Sequence, residues 1–393
     1  MNESKPNWTG CVLARSSCLI VIAAALVAVG CTTSPASNQA RKIDVPPGAV
    51  LLRGAGATFP SLLYKSWFAA YQKSHPQTVI VYDAVGSGEG IRRFVDANSE
   101  KAEEVDFGAS DAALTDEQIA HVPSGARLLP MTAGSIAIAY NLPNFNGDLK
   151  LSRDALAGIF SGDVQTWNDP RIARANPGAH LPNLTIATVV RQDSSGTTFA
   201  FTKHLDAISE TWRAHYGPAT LVNWPGNAIR AKGNEGVAGA IEHAEGSIGY
   251  VGYEFAKRLG LKMALVENKS GNFIAPSAES ASAALADVQL PENLRLFVPD
   301  PNGKNSYPIV TMTWILVYNS YTDPKKAALL KDLFTWCLSD GQQQAESLGY
   351  VPLPSNVVSK SLASLESVQV LKSSSTRLPG AIRVWRIIPA HQS

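Results

Sequence analysis

The chain has 393 residues, 45% of them hydrophobic and 17% charged, with a formal net charge of +1. That balance excludes a disordered, charge-rich chain and leaves room for two domains of ordinary size. Near-neutrality gives no basis for a nucleic-acid-binding surface, so any recognition of charge has to be local.

At the N-terminus, Lys5 and Arg15 precede an apolar run over residues 19–29. The run is too short to cross a bilayer as a folded helix and suits the core of a secretory leader. It ends in Ala28-Val29-Gly30-Cys31, which resembles the processing site of bacterial lipoproteins. Residues 1–30 are therefore expected to be removed and Cys31 to carry lipid. Glu3, Lys5 and Arg15 leave with the leader, so acidic and basic side chains become equal in number. Cys11 and Cys18 leave too, and with Cys31 lipidated no internal disulfide is possible. Cys337 falls on an apolar helical pattern and reads as a buried structural thiol. Residues 31–49, rich in Ser, Pro, Ala and Thr, read as a tether.

The folded part opens with Gly54-Ala55-Gly56-Ala57-Thr58-Phe59-Pro60 and a helical pattern through Tyr71, flexible glycines followed by a proline near a helix start. Residues 78–85 are β-branched and apolar, and Gly86-Ser87-Gly88-Glu89-Gly90 leads from them into a helix carrying Ile91, Phe94 and Val95. Neither glycine loop is a dinucleotide fingerprint, and no Walker A motif occurs. Residues 99–104 read as a charged surface-loop extension. Val105-Asp106-Phe107-Gly108-Ala109-Ser110-Asp111 then sets a short strand before a third loop, with a helix starting near Thr115 that Asp111 is placed to cap. A strand over 135–140, a helix over 152–160 and a turn at Trp167-Asn168-Asp169-Pro170 follow.

A second β-branched run, 184–190, passes through Arg191-Gln192-Asp193-Ser194-Ser195-Gly196-Thr197 into a helix over 198–205. Ser195 or Ser194 is placed to cap that helix. A strand-to-helix junction of this kind presents free backbone N–H groups and the positive end of the helix dipole, which together make an anion seat. The guanidinium of Arg191 matches a tetrahedral oxyanion better than an ammonium would. The plain alternative is an ordinary capped helix with a surface arginine. Beyond it come helices over 233–244 and 253–259, strands over 247–251 and 309–318, and an amphipathic helix over 324–339. That last helix sets Leu329, Leu330, Leu333, Phe334 and Cys337 on its apolar face. Alternating strands and helices predict an α/β architecture with mostly parallel sheets, in which ligands bind beyond the carboxyl ends of the strands. All four candidate loops fall at that end.

Those loops, in this order, resemble the periplasmic phosphate-binding proteins that serve high-affinity phosphate ABC importers, the PstS family. The resemblance covers residues 52–365. Gly233-Asn234-Glu235-Gly236, Ile248-Gly249-Tyr250-Val251 and Pro352-Leu353-Pro354 support it. It implies a type II periplasmic-binding-protein fold: two α/β lobes, 50–129 plus 309–365 and 130–308, with the ligand cleft between them and a tail at 366–393 of uncertain structure. It implies inorganic phosphate as ligand, bound by Thr58, the backbone N–H of Phe59, Ser87, Asp111, Arg191, Ser195, Gly196 and Thr197, with Asp193 pairing Arg191. It implies permease and ATPase partners in the membrane, and a lipid-anchored place in the periplasm or at the cell surface. No cofactor, metal or catalytic residue is expected.

The chemistry of these residues agrees with that implication. A dehydrated oxyanion is costly unless every oxygen is hydrogen-bonded, and the four hydroxyls can turn to suit a mono- or a dianion. Asp111 would accept a proton that phosphate keeps at neutral pH and sulfate does not, turning repulsion against the fully ionised ion. Glu89, unusual in a loop of small residues, is expected to face solvent. An enzyme is disfavoured: no Gly-x-Ser-x-Gly occurs, and the seven histidines show no metal-ligand spacing. A same-fold binding protein for another oxyanion or a phosphate ester is the nearer rival, and a sensor or adhesion role the more distant one.

Overall fold

Apolar, β-branched runs form strands where their patterning predicts them, and each glycine loop ends one strand and starts one helix. The computed structural model describes residues 43–96, 105–286 and 288–371. The expected leader, Cys31, most of the tether, the charged stretch at 99–104 and the tail beyond Leu371 lie outside the described residues. The chain divides into two units, Met1–Asp44 and Val45–Ser393. Only Ile43 and Asp44 of the first are described, and the fold is that of the second.

Nine strands form one sheet: β1 (Val50–Gly56), β2 (Thr78–Ala84), β3 (Phe107–Ser110), β4 (Ala126–Asn141), β5 (Ala187–Arg191), β6 (Ile229–Ala231), β7 (Ser247–Gly252), β8 (Lys262–Met263) and β9 (Val310–Tyr318). Their order is β2-β1-β3-β9-β4-β7-β5-β6, with β8 paired to β4. Strands β2, β1 and β3 are mutually parallel, as are β6, β5 and β7. The two triads are joined by antiparallel strands. β9 pairs antiparallel with both β3 and β4, and β4 pairs antiparallel with β7.

The expectation of mostly parallel sheets is thus met only within each triad. Its failure between them has a simple cause: β4 leaves one triad for the other, and β9 comes back alongside it. Strand β4 is far longer than the expected 135–140. It pairs with β9 through Ser135 and with β7 from Ile136 onward, so one continuous backbone ladder serves both halves. This is the two-lobed periplasmic-binding architecture.

Helices pack each triad. In α1 (Ser61–Ser74), Leu63, Tyr64, Trp67, Phe68 and Tyr71 make one buried stripe at helical spacing. Phe68 meets Phe107, which meets Phe334 edge-on with ring centroids 5.2 Å apart. On the other side of the crossing strands, Phe201 stacks on Tyr250 at 4.5 Å and Phe160 packs against Phe201. Cys337 is a buried free thiol. Among the described residues no helix is long and apolar enough to cross a membrane.

Candidate functional site

Six loops lie at the carboxyl ends of the six parallel strands, three from each triad. Four of them open helices of nine or more residues: α1, α2 (Ser87–Val95), α4 (Gly196–Ile208) and α5 (Gly233–His243). The loop after β3 carries Asp111 and leads to the short helix α3 (Asp116–Ala120); the loop after β7 opens α6 (Tyr253–Arg258). Each longer helix brings unpaired N–H groups and a partial positive charge of about half an electron to its first turn.

The eight residues singled out in these loops come together, and all are buried. Ser87 accepts a hydrogen bond from the Asp111 N–H at 3.1 Å. Across the gap between the triads, a methyl group added at Gly196 would stand 2.6 Å from both Asp111 Cβ and Ser87 Oγ, so only glycine permits this approach. Gly86, with φ +100, packs as closely against Asp193, and the Gly88 N–H donates to the Ser194 carbonyl at 3.0 Å. Loops from the two triads therefore touch directly.

Arg191 is no surface residue, being 1% exposed. Its Nε donates to Asp193 Oδ1 at 2.9 Å, its Nη2 to Asp193 Oδ2, and its Nη1 reaches Thr197 Oγ1 at 3.4 Å. Asp193 also accepts from the Gly233 N–H at 2.9 Å. Burial works to raise the Asp193 pKa, but the Arg191 fork outweighs it and holds the carboxyl below its ordinary value. Of the two possible caps for α4, Ser195 serves: it accepts from the Thr198 N–H at 3.1 Å. The helix begins at Gly196, two residues earlier than its apolar pattern suggests.

Asp111 does not cap the following helix. Thr115 takes that position in a reciprocal capping box with Gln118. Asp111 is 1% exposed, and among the described residues its Oδ1 meets no hydrogen-bond partner. Burial pushes its carboxyl up to about 7, with Thr313, Arg191 and Ser87 working weakly the other way. Glu89 turns away from the site onto Arg92 and Arg93, which donate to it at 2.7–2.8 Å.

Two buried residues of the site have no role in the sequence reading. Asn234, in the first turn of α5, donates from Nδ2 to Thr58 Oγ1 at 2.9 Å and to Thr197 Oγ1 at 3.2 Å. Glu254, 2% exposed at the start of α6, has both carboxylate oxygens without a partner among the described residues. Burial drives its pKa well above the ordinary value. In the sequence Asn234 stood in the supporting motif Gly233-Asn234-Glu235-Gly236, just after a glycine that starts a helix, with no role of its own. Glu254 looks there like an ordinary acid complementing a helix dipole.

A model of the PBP superfamily domain matches residues 32–341. The chain is 36% identical to the phosphate-binding protein PstS of Xylella fastidiosa over 330 residues, 83% of this chain and 86% of that one. It is 38% identical to the PstS of Pasteurella multocida over 317 residues, 79% and 89% of the two chains. Among solved structures it is similar to a high-affinity periplasmic phosphate-binding protein, PfluDING, bound with phosphate. There the TM-score is 0.66 at 24% identity, covering 80% of this chain and 93% of that one.

Proposed function

This chain belongs to the PstS family of phosphate-binding proteins within the PBP superfamily, and from that premise we propose that it captures inorganic phosphate outside the cytoplasmic membrane and delivers it to an ABC importer. Phosphate would be held by the hydroxyls of Thr58, Ser87, Ser195 and Thr197, the N–H groups of Phe59, Gly196 and Thr197, and the guanidinium of Arg191. Asp193 holds that guanidinium in place. The lobes are 50–129 plus 309–365 and 130–308, and the ligand sits where their loops meet. The crossing strand β4 is the natural hinge, because among the nine strands it alone pairs with β9 on one side and with β7 on the other. Closure brings the loops of both triads around the anion and removes its water.

The observation that carries this reading is Asp111, a buried carboxyl with an unpartnered oxygen among helix N-termini and hydroxyl donors. In a site built to surround an anion, an ionised carboxyl is useful only against a ligand that brings a proton to it. Hydrogen phosphate brings one; sulfate does not. The net charge near the guanidinium is already balanced by Asp193, so attraction comes from N–H groups and helix dipoles rather than from a surplus of cations. No bond is made or broken, and the ligand leaves as it arrived. The partners are the permease and ATPase subunits of the importer, and lipid on Cys31 anchors the chain to the membrane.

Titration calorimetry of ligand-stripped protein with phosphate, then sulfate, at matched ionic strength tests the proposal. One-to-one binding of phosphate and no response to sulfate is the expected result. Binding of both would remove the selective role of Asp111; binding of neither would point to a phosphate ester or another oxyanion.

A further inference from the structure

A hydroxyl can accept two hydrogen bonds and donate one, and in an isolated pocket it rotates to whichever arrangement the ligand prefers. Thr58 and Thr197 do not have that freedom. Thr58 Oγ1 accepts from the Asn234 side chain at 2.9 Å and from the Asn234 backbone N–H at 3.2 Å. Thr197 Oγ1 accepts from the same side-chain amide at 3.2 Å and from Arg191 Nη1 at 3.4 Å. All four of these partners are donors, so both lone pairs of each oxygen are taken. Among the described residues neither oxygen has a hydrogen-bond partner able to accept its proton.

The orientation of the amide is fixed independently. Asn234 Oδ1 accepts from the Gly252 N–H at 2.9 Å. A backbone N–H can only donate, so the oxygen must face Gly252 and the NH2 must face the threonines. Its two hydrogens are divided between a residue of the β1 loop and a residue of α4, one from each triad. Asn234, Thr58 and Thr197 are all buried, so water offers no alternative partners.

We infer that Asn234 is a positioning residue that forces the Thr58 and Thr197 hydroxyls to act only as donors to the ligand. Resting on the phosphate reading above, this fixes how the anion is turned: the oxygens facing the two threonines must accept, so no phosphate proton points at them and it is directed to Asp111. The expected freedom of all four hydroxyls to suit a mono- or a dianion is therefore confined to Ser87 and Ser195. Each of those accepts a single protein N–H.

A double-mutant cycle on the full chain tests this. In the wild-type background Thr58→Val should weaken phosphate binding about tenfold, the loss of one hydroxyl donor to an anion. Asn234→Asp keeps the shape and the Gly252 contact but offers the threonine protons an acceptor, so their donation turns away from phosphate. In that background Thr58→Val should cost less than about twofold, a coupling that a purely structural asparagine would not produce. Equal fold-losses in both backgrounds overturn the inference and leave the phosphate reading standing, whereas no phosphate binding by the wild-type chain overturns both. Thermal unfolding of each ligand-free variant checks that it folds. Should Asn234→Asp fail to fold, the same cycle is run with Asn234→Ser, which lacks the amide donors and frees one lone pair on each threonine: a Thr58→Val loss clearly below the wild-type tenfold supports the inference, and an equal loss overturns it.

Discussion

The two walls of the site treat charge in opposite ways, and their aspartates show it. The wall after β5 and β6 holds the guanidinium of Arg191 and neutralises it with Asp193, whose carboxyl stays below its ordinary pKa. The wall after β1, β2 and β3 offers hydroxyls, N–H groups and Asp111, whose carboxyl is raised to about 7. The residue type is the same, but Asp111 is fully buried with no paired cation and Asp193 is half-buried against one; burial and partner together make the difference. A paired buried acid serves as scaffolding for a cation, while an unpaired one becomes a test applied to the ligand. On the proposed reading, the wall with Arg191 supplies attraction and the wall with Asp111 supplies discrimination.

The largest effect should come from breaking the attractive wall. Arg191→Ala removes a buried donor fork and leaves Asp193 as an uncompensated charge, so phosphate affinity should fall by about a hundredfold or more in calorimetry. Near-normal affinity would show that the attraction resides elsewhere. A smaller change is expected from the discriminating wall. Asp111→Asn removes the repulsive charge and offers an amide N–H, so sulfate binding should become measurable while phosphate weakens by about tenfold. Unchanged selectivity would take the test away from Asp111.

The smallest effect concerns stability and sharpens the comparison, because Glu254 is an unpaired acid on the attractive side. Its folded pKa lies above the unfolded one, so it holds its proton in the fold at low pH. That contribution is complete below the unfolded value of about 4.3 and is lost as pH rises toward the folded value. Glu254→Gln should therefore match the wild type near pH 4 and melt higher than it at pH 8, by about 1–2 °C for each kcal/mol recovered. Parallel melting curves across that range would show that Glu254 has a partner in solution.

Much of this was legible along the chain because the informative contacts are local. The strand-to-helix junction at Arg191 to Thr197 was legible as a candidate anion seat beside the plainer capped helix, and Ser195 caps the helix that it immediately precedes. Capping and the Arg191–Asp193 pair span a few residues, so order in sequence is nearly order in space. The length of β4 was not legible. Residues 128–134 break any simple alternation because that stretch is buried on both faces of the sheet. The roles of Asn234 and Glu254 were hidden for the same kind of reason. The meaning of Asn234 depends on Thr58 and Thr197, and that of Glu254 on the burial around it, both of which come from remote parts of the chain.

By itself the sequence determined which elements form, which loops gather at the carboxyl ends of strands, and which side chains there suit an oxyanion. Those properties follow from side-chain type and from periods of two and 3.6 residues, both of which are written locally. Only the tertiary structure decided that two parallel triads meet through antiparallel strands, that Asp111 is left unpaired while Asp193 is not, and that one amide fills the lone pairs of threonines on opposite walls. Burial and hydrogen-bond saturation depend on everything that surrounds a group, and those surroundings exist only once the chain has folded.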